Sequence, residues 1–167
     1  GKLWCGTREG LTVIDPFGRI KEHAPGEEGP GRSVRSILAD RNGRLWLASD
    51  QGLAIMENGA FRHYTKVDGL SDNTVLWLVT DNKDRLWAGT ANGLTCYEKG
   101  RLRAIRFGAD FGSNYFNLLR KDAQGGLWAG TNNGLYLFDP DRLLSDSTAL
   151  EHITMSDGLR SLEFNLN

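Results

Sequence analysis

The sequence Leu86-Trp87-Ala88-Gly89-Thr90 recurs, with small changes, at three other places along this chain. The copies are Leu3-Trp4-Cys5-Gly6-Thr7, Leu45-Trp46-Leu47-Ala48-Ser49 and Leu127-Trp128-Ala129-Gly130-Thr131. Their tryptophans lie 42, 41 and 41 residues apart, and Gly-Leu follows six residues after each Trp. A period near forty residues with this much agreement indicates a repeat architecture.

The third copy shows what one repeat contains. Strand-like segments rich in β-branched and aromatic residues, separated by turn-forming residues, occupy 73–80, 85–90, 94–98 and 102–107. Four short strands in about 41 residues are typical of one blade of a β-propeller. The second repeat has the same pattern at 33–39, 44–48, 53–57 and 61–65. The fourth has it at 115–121, 126–131, 135–139 and 150–155, with a longer connection at 140–148.

The first repeat lacks an opening strand, and the end of the chain supplies a candidate for it. Strand-like segments lie at 2–7, 11–15 and 19–23, followed by a loop at 24–31. Residues 156–159 repeat the Val67-Asp68-Gly69-Leu70 connection, and residues 161–166 alternate as a strand does. We predict an all-β propeller of four four-stranded blades, with one blade split between the termini. Residues 1–167 then form one domain, with repeats at 1–31 plus 156–167, 32–70, 71–112 and 113–155.

The composition excludes two classes of partner. The 20 Lys and Arg and the 21 Asp and Glu are spread along the chain, which argues against a nucleic-acid-binding surface. No apolar run approaches the roughly 20 residues that cross a bilayer, so we expect no membrane contact by this chain. The sequence starts inside a repeat and without Met, so we expect a piece of a longer protein whose targeting signal lies elsewhere.

We interpret the repeated tryptophans as structural residues. A buried Trp removes about 150–250 Å² from water, and packing one blade against the next requires such a residue in each blade. The four are Trp4, Trp46, Trp87 and Trp128. The Gly or Ala two positions after each Trp allows a neighbouring backbone or ring to approach closely. Cys5 and Cys96 form no Cys-x-x-Cys pair, and we predict that both are small buried residues.

The pattern Asn73-x-Val75, Asp81, Leu86-Trp87-x-Gly89-Thr90, Gly93-Leu94 resembles the two-component regulator propeller repeat. The resemblance extends over essentially the whole chain. It implies a fragment of the sensor region of a bacterial hybrid two-component histidine kinase, located in the periplasm or outside the cell and responding to carbohydrates. Residues 157–165 resemble a stretch that recurs late in such regions.

The sequence shows no catalytic or metal-binding pattern. His23, His63 and His152 occupy different repeat positions, and no His-Glu-x-x-His, Gly-x-Ser-x-Gly or phosphate-binding loop is present. A carboxylate follows eleven residues after each Trp, at Asp15, Glu57, Glu98 and Asp139. A ring of four carboxylates could bind a cation, but a hydrogen-bonding role at a strand end accounts better for the repetition. We predict a protein that is not an enzyme and that uses no cofactor and no metal.

Propellers bind ligands through loops on one face, so residues before and within the opening strands are the candidates. The predicted contact residues are Arg32, Arg35, Asn73, Trp77, Asn114, Tyr115 and Asn117. An aromatic ring with Arg and Asn nearby suits stacking on a sugar and hydrogen bonding to its hydroxyls. The apolar neighbours of Trp77 also fit a blade-packing role. Arg32 and Leu162 stand where the other repeats have Asn, so two repeats depart from the family pattern.

The sequence thus predicts a non-catalytic, ligand-sensing propeller fragment that binds an oligosaccharide or another small ligand and so regulates a kinase. The alternatives are a structural or protein-interaction propeller without a small-molecule site and, third, a propeller lyase or hydrolase. The four blades can close into a ring, combine with a second chain into eight blades, or remain an open arc. Because an open arc leaves an apolar blade face in water, we expect a homodimer formed through blade edges or through exchange of the C-terminal strand.

Overall fold

The computed structural model describes residues 1–26, 29–108, 111 and 113–161, and within them fifteen strands form four antiparallel sheets. The first blade contains β1 (Leu3–Thr7), β2 (Gly10–Ile14) and β3 (Ile20–His23). The second contains β4 (Ser36–Ala39), β5 (Leu45–Ser49), β6 (Gly52–Glu57) and β7 (Ala60–Tyr64). The third contains β8 (Val75–Thr80), β9 (Leu86–Thr90), β10 (Gly93–Glu98) and β11 (Arg101–Ile105). The fourth contains β12 (Phe116–Lys121), β13 (Leu127–Thr131), β14 (Gly134–Phe138) and β15 (Glu151–Ile153), with helix α1 (Pro140–Ser145) between β14 and β15.

Strands in each sheet follow chain order, as a propeller blade requires, and the predicted all-β propeller fold is confirmed. The opening strands β4, β8 and β12 lie next to one another. The backbone N–H of Leu78 in β8 donates a hydrogen bond of 3.3 Å to Ser36 Oγ in β4. Within the described residues the first blade has three strands. The strand predicted at 161–166 to complete this blade lies, from residue 162 onward, outside the described residues.

Apolar side chains fill the space between consecutive blades. Trp46 and Trp87 are almost completely buried, and each packs in a cluster made by its own blade and the following one. The Trp46 ring meets Tyr97 of the third blade at 4.7 Å between centroids, and the Trp87 ring meets Phe138 of the fourth at 5.5 Å. These tryptophans therefore hold neighbouring blades together by burying their large apolar surface. Their equivalents in the first and fourth blades are half-buried.

Glycine in the second strand sets the distance to the next blade. A Cβ atom at Gly89 would lie 2.6 Å from the carbonyl oxygen of Phe116, and one at Gly6 would lie 2.5 Å from that of Val34. Both carbonyls belong to the segment that opens the following blade. A larger residue would push the two blades apart, which explains the small residue at this repeat position.

Helix α1 lies in a connection for which the sequence predicted no helix. Asp139 precedes it and accepts a hydrogen bond of 2.8 Å from the backbone N–H of Arg142, while Pro140 occupies the first helical position. Both residues favour the start of a helix. Six residues are too few to show a helical period in the sequence, so this element was missed.

All three described opening strands begin later than predicted, β12 by one residue at Phe116 instead of residue 115. β4 begins at Ser36 instead of residue 33, and β8 begins at Val75 instead of residue 73. In the second blade, the N–H groups of Ser33 and Val34 donate to the carbonyl oxygens of Arg8 and Thr7 in the first blade. Ser33 and Val34 therefore bind the first blade, and the chain joins the sheet of the second blade only at Ser36.

The connection that leads into the third blade recurs after the fourth. Residues Lys66–Asp68 and Met155–Asp157 each form one 3₁₀ turn, and the preceding residues Thr65 and Thr154 accept and donate the hydrogen bonds of a capping box. A glycine with φ of 111° or 100° follows each turn. The likeness between 156–159 and 67–70 seen in the sequence is therefore present in the backbone. The second turn also ends the last strand at Ile153, earlier than the predicted residue 155.

Candidate functional site

One face of the four blades carries the connections between blades and the turns between the second and third strands of each blade. We call it the loop face; the described residues of its connections are 24–26 and 29–35, 65–74, and 106–108, 111 and 113–115. Hydrogen bonds join connections to turns: Asp50 N donates to Arg32 O at 3.2 Å, Ala91 N to Thr74 O at 3.0 Å, and Gly93 N to Asn114 O at 2.7 Å. The loop face is therefore built from connections that the underlying sheets hold in place.

Four of the predicted contact residues are exposed on the loop face. Arg32 and Arg35 flank the start of the second blade, and Asn73 precedes β8. Tyr115 precedes β12 and is 37% exposed. Backbone contacts fix Arg32 and Arg35, since Arg32 N donates to Gln51 Oε1 at 3.2 Å and Arg35 N donates to Ala48 O at 2.9 Å. These side chains offer two cations, an amide and a phenol to solvent.

The other three predicted contact residues are directed at least partly inward. Trp77 is half-buried and packs against the cluster between the third and fourth blades, which agrees with a packing role. Asn114 is half-buried and Asn117 is only 3% exposed. The Oδ1 atoms of both asparagines are buried, without a hydrogen-bond donor among the described residues. These two oxygen atoms are therefore not accessible from the surface in this conformation.

A register shift explains why Asn117 is buried. β12 pairs with β13 with an irregularity between Phe116 and Leu118, and β8 has the same irregularity between Val75 and Trp77. The extra residue of each β-bulge is Asn117 or Leu76, and both are buried. Arg35 holds the equivalent place in the second blade, where it is exposed. One repeat position thus presents different chemistry in three neighbouring blades.

The opposite face, which we call the turn face, carries the turns between the first and second strands of the second, third and fourth blades, such as residues 81–85 in the third blade. It contains a hydrogen-bonded motif that the sequence analysis missed. Asp81 Oδ1 accepts from the backbone N–H groups of Lys83 and Arg85 at 2.8 and 3.1 Å. Its Oδ2 accepts from Arg85 Nε at 2.6 Å and from Trp87 Nε1 at 2.9 Å. One carboxylate thus closes the turn between the first two strands and orients the blade-packing Trp.

The same motif occurs in the neighbouring blades. Asp40 accepts from Arg44 Nε at 2.7 Å and from Trp46 Nε1 at 2.9 Å. Burial alone would raise the pKa of Asp40, but the hydrogen bonds from Trp46 and Arg44 hold it below its ordinary value. In the fourth blade Asp122 accepts from Trp128 Nε1 at 3.2 Å, and Gly126 replaces the arginine. The signal that could have found this motif is Asp six residues before Trp in three repeats.

Arg85 extends this motif to the next blade. Its guanidinium is buried, and its Nη1 donates to Asp141 Oδ1 in helix α1 at 2.7 Å. Lys83 Nζ donates to Asp141 Oδ2 at 2.7 Å. Burial would lower the pKa of Arg85, but Asp81 and Asp141 raise it above its ordinary value. Lys83 and Arg85 hold the pKa of Asp141 below its ordinary value. This network is a structural ion cluster between the third and fourth blades.

The predicted carboxylate ring divides into two pairs. Asp15 accepts hydrogen bonds from the backbone N–H groups of Phe17 and Arg19, and Asp139 caps the N-terminus of α1. Glu57 and Glu98 lie at strand ends and are exposed. Among the described residues no three His, Cys, Asp or Glu side chains come together as potential metal ligands.

The two cysteines are separate free thiols. Cys96 is buried in the core between the third and fourth blades, and burial raises the pKa of its thiol to about 12. Cys5 is half-buried. In the part of the chain that the structure describes, no helix has the length and apolar character needed to span a membrane.

Comparison with known proteins identifies the repeats. The family model described as two-component regulator propeller matches residues 28–51, 69–92 and 110–133. Each matched segment covers an opening strand, the aspartate turn and the Trp strand, and ends in the turn that follows. No protein of curated function matches the chain in sequence.

Solved structures with the same fold include the extracellular domains of two proposed hybrid two-component systems from B. thetaiotaomicron. One is 25% identical with a TM-score of 0.74 over 92% of this chain, and the other is 19% identical with a TM-score of 0.70 over 98%. This chain spans 21% of the length of each. Virginiamycin B lyase from Staphylococcus aureus shares the fold alone, at 14% identity and a TM-score of 0.66, over 92% of this chain and 52% of the lyase. The second, third and fourth blades therefore contain two-component regulator propeller repeats.

Proposed function

We propose that this chain is a non-catalytic part of the periplasmic or extracellular sensor region of a two-component-type receptor, and that its loop face binds a ligand. The observation that carries the proposal is the exposure of Arg32, Arg35, Asn73 and Tyr115 on one face of a propeller built from these repeats. The similarity to extracellular domains of two-component systems supports the location.

The chemistry of the loop face favours an oligosaccharide. Tyr115 offers a ring for stacking on a sugar, and Asn73 has amide hydrogens that can donate to hydroxyls, because its Oδ1 is already bonded to Lys66 N at 2.8 Å. Arg32 and Arg35 can donate to sugar hydroxyls or to an acidic substituent. Ligand binding would bias the arrangement of a dimeric receptor and thereby its kinase.

The test is ligand-induced thermal stabilisation with a panel of neutral and acidic oligosaccharides. A ligand that binds only the folded state stabilises it in a saturable manner. Arg35→Ala should abolish the stabilisation while the melting temperature without ligand stays unchanged. Arg101→Ala, at an exposed position at the start of β11, is the matched control and should retain the stabilisation. Absence of stabilisation by every oligosaccharide, or unchanged stabilisation of Arg35→Ala, would overturn the proposal.

The second candidate is a protein-interaction role, and the exposed face of the first blade favours it. Leu3 and Ile20 are 60% and 65% exposed, whereas the Leu3 equivalent in the third blade, Leu86, is 2% exposed because another blade covers it. The equivalent leucines Leu45, Leu86 and Leu127 are each covered by the preceding blade, and the corresponding face of the fourth blade is therefore suited to cover Leu3. A second copy could therefore dock its fourth blade on the first blade of this chain.

Light scattering over a dilution series tests this association. A dimer of the 18.5 kDa chain that Leu3→Lys dissociates, and that Phe17→Lys on an exposed turn leaves intact, supports the interaction role. A monomer at every concentration contradicts it. This result is independent of the oligosaccharide screen.

A further inference from the structure

A cleft whose walls include none of the predicted contact residues lies between the third and fourth blades. Its volume is about 340 Å³, and its walls include Arg106, Phe107, Phe111, Tyr136, Leu150 and His152. The first three follow β11, and the last three belong to or flank β14 and β15. A volume of this size lies at the lower end of the range that takes small-molecule ligands.

Four of these side chains form a continuous stack of rings. Phe107 stacks on Phe111 with 4.2 Å between centroids, Phe111 on Tyr136 with 4.5 Å, and Tyr136 on His152 with 4.3 Å. The angles between successive ring planes are 16°, 24° and 5°. Offset-stacked rings at these distances attract one another beyond the area that they bury. The stack therefore offers a preformed aromatic wall.

Hydrogen bonds fix two of the rings. Tyr136 Oη donates to the carbonyl oxygen of Phe111 at 3.0 Å. His152 Nε2 lies 2.7 Å from the carbonyl oxygen of Asn133, so this nitrogen carries the proton and donates. Because these contacts exist without a ligand, binding would cost little ordering of the Tyr136 and His152 side chains.

The cleft also has one unpaired cation. Arg106 is exposed, and in the described part of the chain its guanidinium forms no ion pair. Other hydrogen-bonding groups are few, since the hydroxyl of Thr148 is already bonded to Asp146 Oδ1 at 2.7 Å, which leaves the exposed Ser147. A sugar would leave most of its hydroxyls without partners here, whereas a flat apolar ring with one negative group would match the walls.

We propose that this cleft binds a small aryl carboxylate, with the aromatic ring against the Phe107–His152 stack and the carboxylate on Arg106. The site uses none of the exposed contact residues Arg32, Arg35, Asn73 and Tyr115, and this proposal does not rest on the proposed function. A charge-assisted bond from Arg to a carboxylate supplies orientation, and the ring stack supplies apolar contact.

The test is titration of the full chain with phenylacetate and indole-3-acetate, followed by calorimetry and by the ring signals of Tyr136 and His152 in NMR spectra. We expect saturable binding that shifts both ring signals. Arg106→Gln should weaken binding at least about tenfold, because it removes the charge-assisted bond. Arg103→Gln, at an exposed position in β11, is the matched control and should bind within about twofold of the unmodified chain.

Three ligand comparisons keep the test independent of any effect of mutation on folding. Cyclohexylacetate lacks the aromatic ring, phenylacetamide lacks the charge, and glucuronate replaces the ring with a sugar. Each should bind more weakly than phenylacetate. Equal binding of any of them, equal binding by Arg106→Gln, the absence of saturable binding, or shifts confined to other residues would overturn the proposal.

Discussion

The indole N–H of Trp87 donates a hydrogen bond of 2.9 Å to the Asp81 carboxylate, six residues earlier in the chain. The same carboxylate binds the buried Arg85 side chain and two backbone N–H groups. The residue that closes a turn thus also positions the ring that packs the third blade on the fourth. Local turn chemistry and packing between blades are coupled through one side chain.

Asp81→Asn should lower the free energy of unfolding by about 3 kcal/mol, because it breaks a buried charge pair and leaves Arg85 with a single carboxylate partner. Asp122→Asn is the matched control, since Asp122 has the same backbone and Trp contacts but no arginine partner among the described residues. Its cost should be about 1 kcal/mol, that of a weakened hydrogen bond. Urea unfolding measures both values. Equal losses would show that the Arg85 pair does not contribute.

Gly93→Ala should destabilise the chain more than Gly100→Ala. Both glycines have positive φ, 108° and 84°, so both substitutions cost about 1 kcal/mol from backbone strain. A Cβ at Gly93 would also lie 2.5 Å from the Ile105 carbonyl oxygen, whereas at Gly100 it would meet open space. Chemical denaturation of the two variants separates strain from steric clash. A larger loss for Gly100→Ala would contradict the hairpin geometry.

Acid should weaken the contact between α1 and the third blade. Lys83 and Arg85 depress the pKa of Asp141 in the folded state below its unfolded value. The resulting stabilisation is therefore present above the unfolded pKa, about 4, and is lost as the pH falls through the folded pKa. Asp141→Asn should be less stable than the unmodified chain at neutral pH and equally stable in strong acid. A stability difference that does not change with pH would contradict this account.

The two thiols should react at different rates. Cys96 is buried and its thiol pKa is raised to about 12, so the reactive thiolate is scarce in the folded state. Cys5 is only half-buried. Labelling with a maleimide and mass spectrometry should modify Cys5 first, and Cys96 only as fast as the chain opens. Cys5→Ser should abolish the fast phase; its persistence would show that Cys96 is accessible.

The blades could be predicted from sequence because strand alternation and turn residues are local signals that repeat four times. The Asp81–Trp87 hydrogen bond also has a sequence signal, an Asp six residues before the Trp in three repeats. The sequence analysis missed it because the two residues lie on either side of a turn, and a search for strand alternation does not test that spacing. Helix α1 was too short to show a period. The burial of Asn117 depends on a β-bulge, and alternation along one strand cannot reveal where a bulge shifts the register.

Hydrogen exchange measured with and without oligosaccharide tests the central claim, that the loop face receives the ligand. Each oligosaccharide of the panel is tested at millimolar concentration. For an oligosaccharide that binds, the account predicts slower exchange of the backbone amide hydrogens at residues 32–35 and 73–77. Exchange should not change at the turn-face residues 41–43 and 83–84. Slowing on the turn face, or no slowing on the loop face with any member of the panel, would contradict the account.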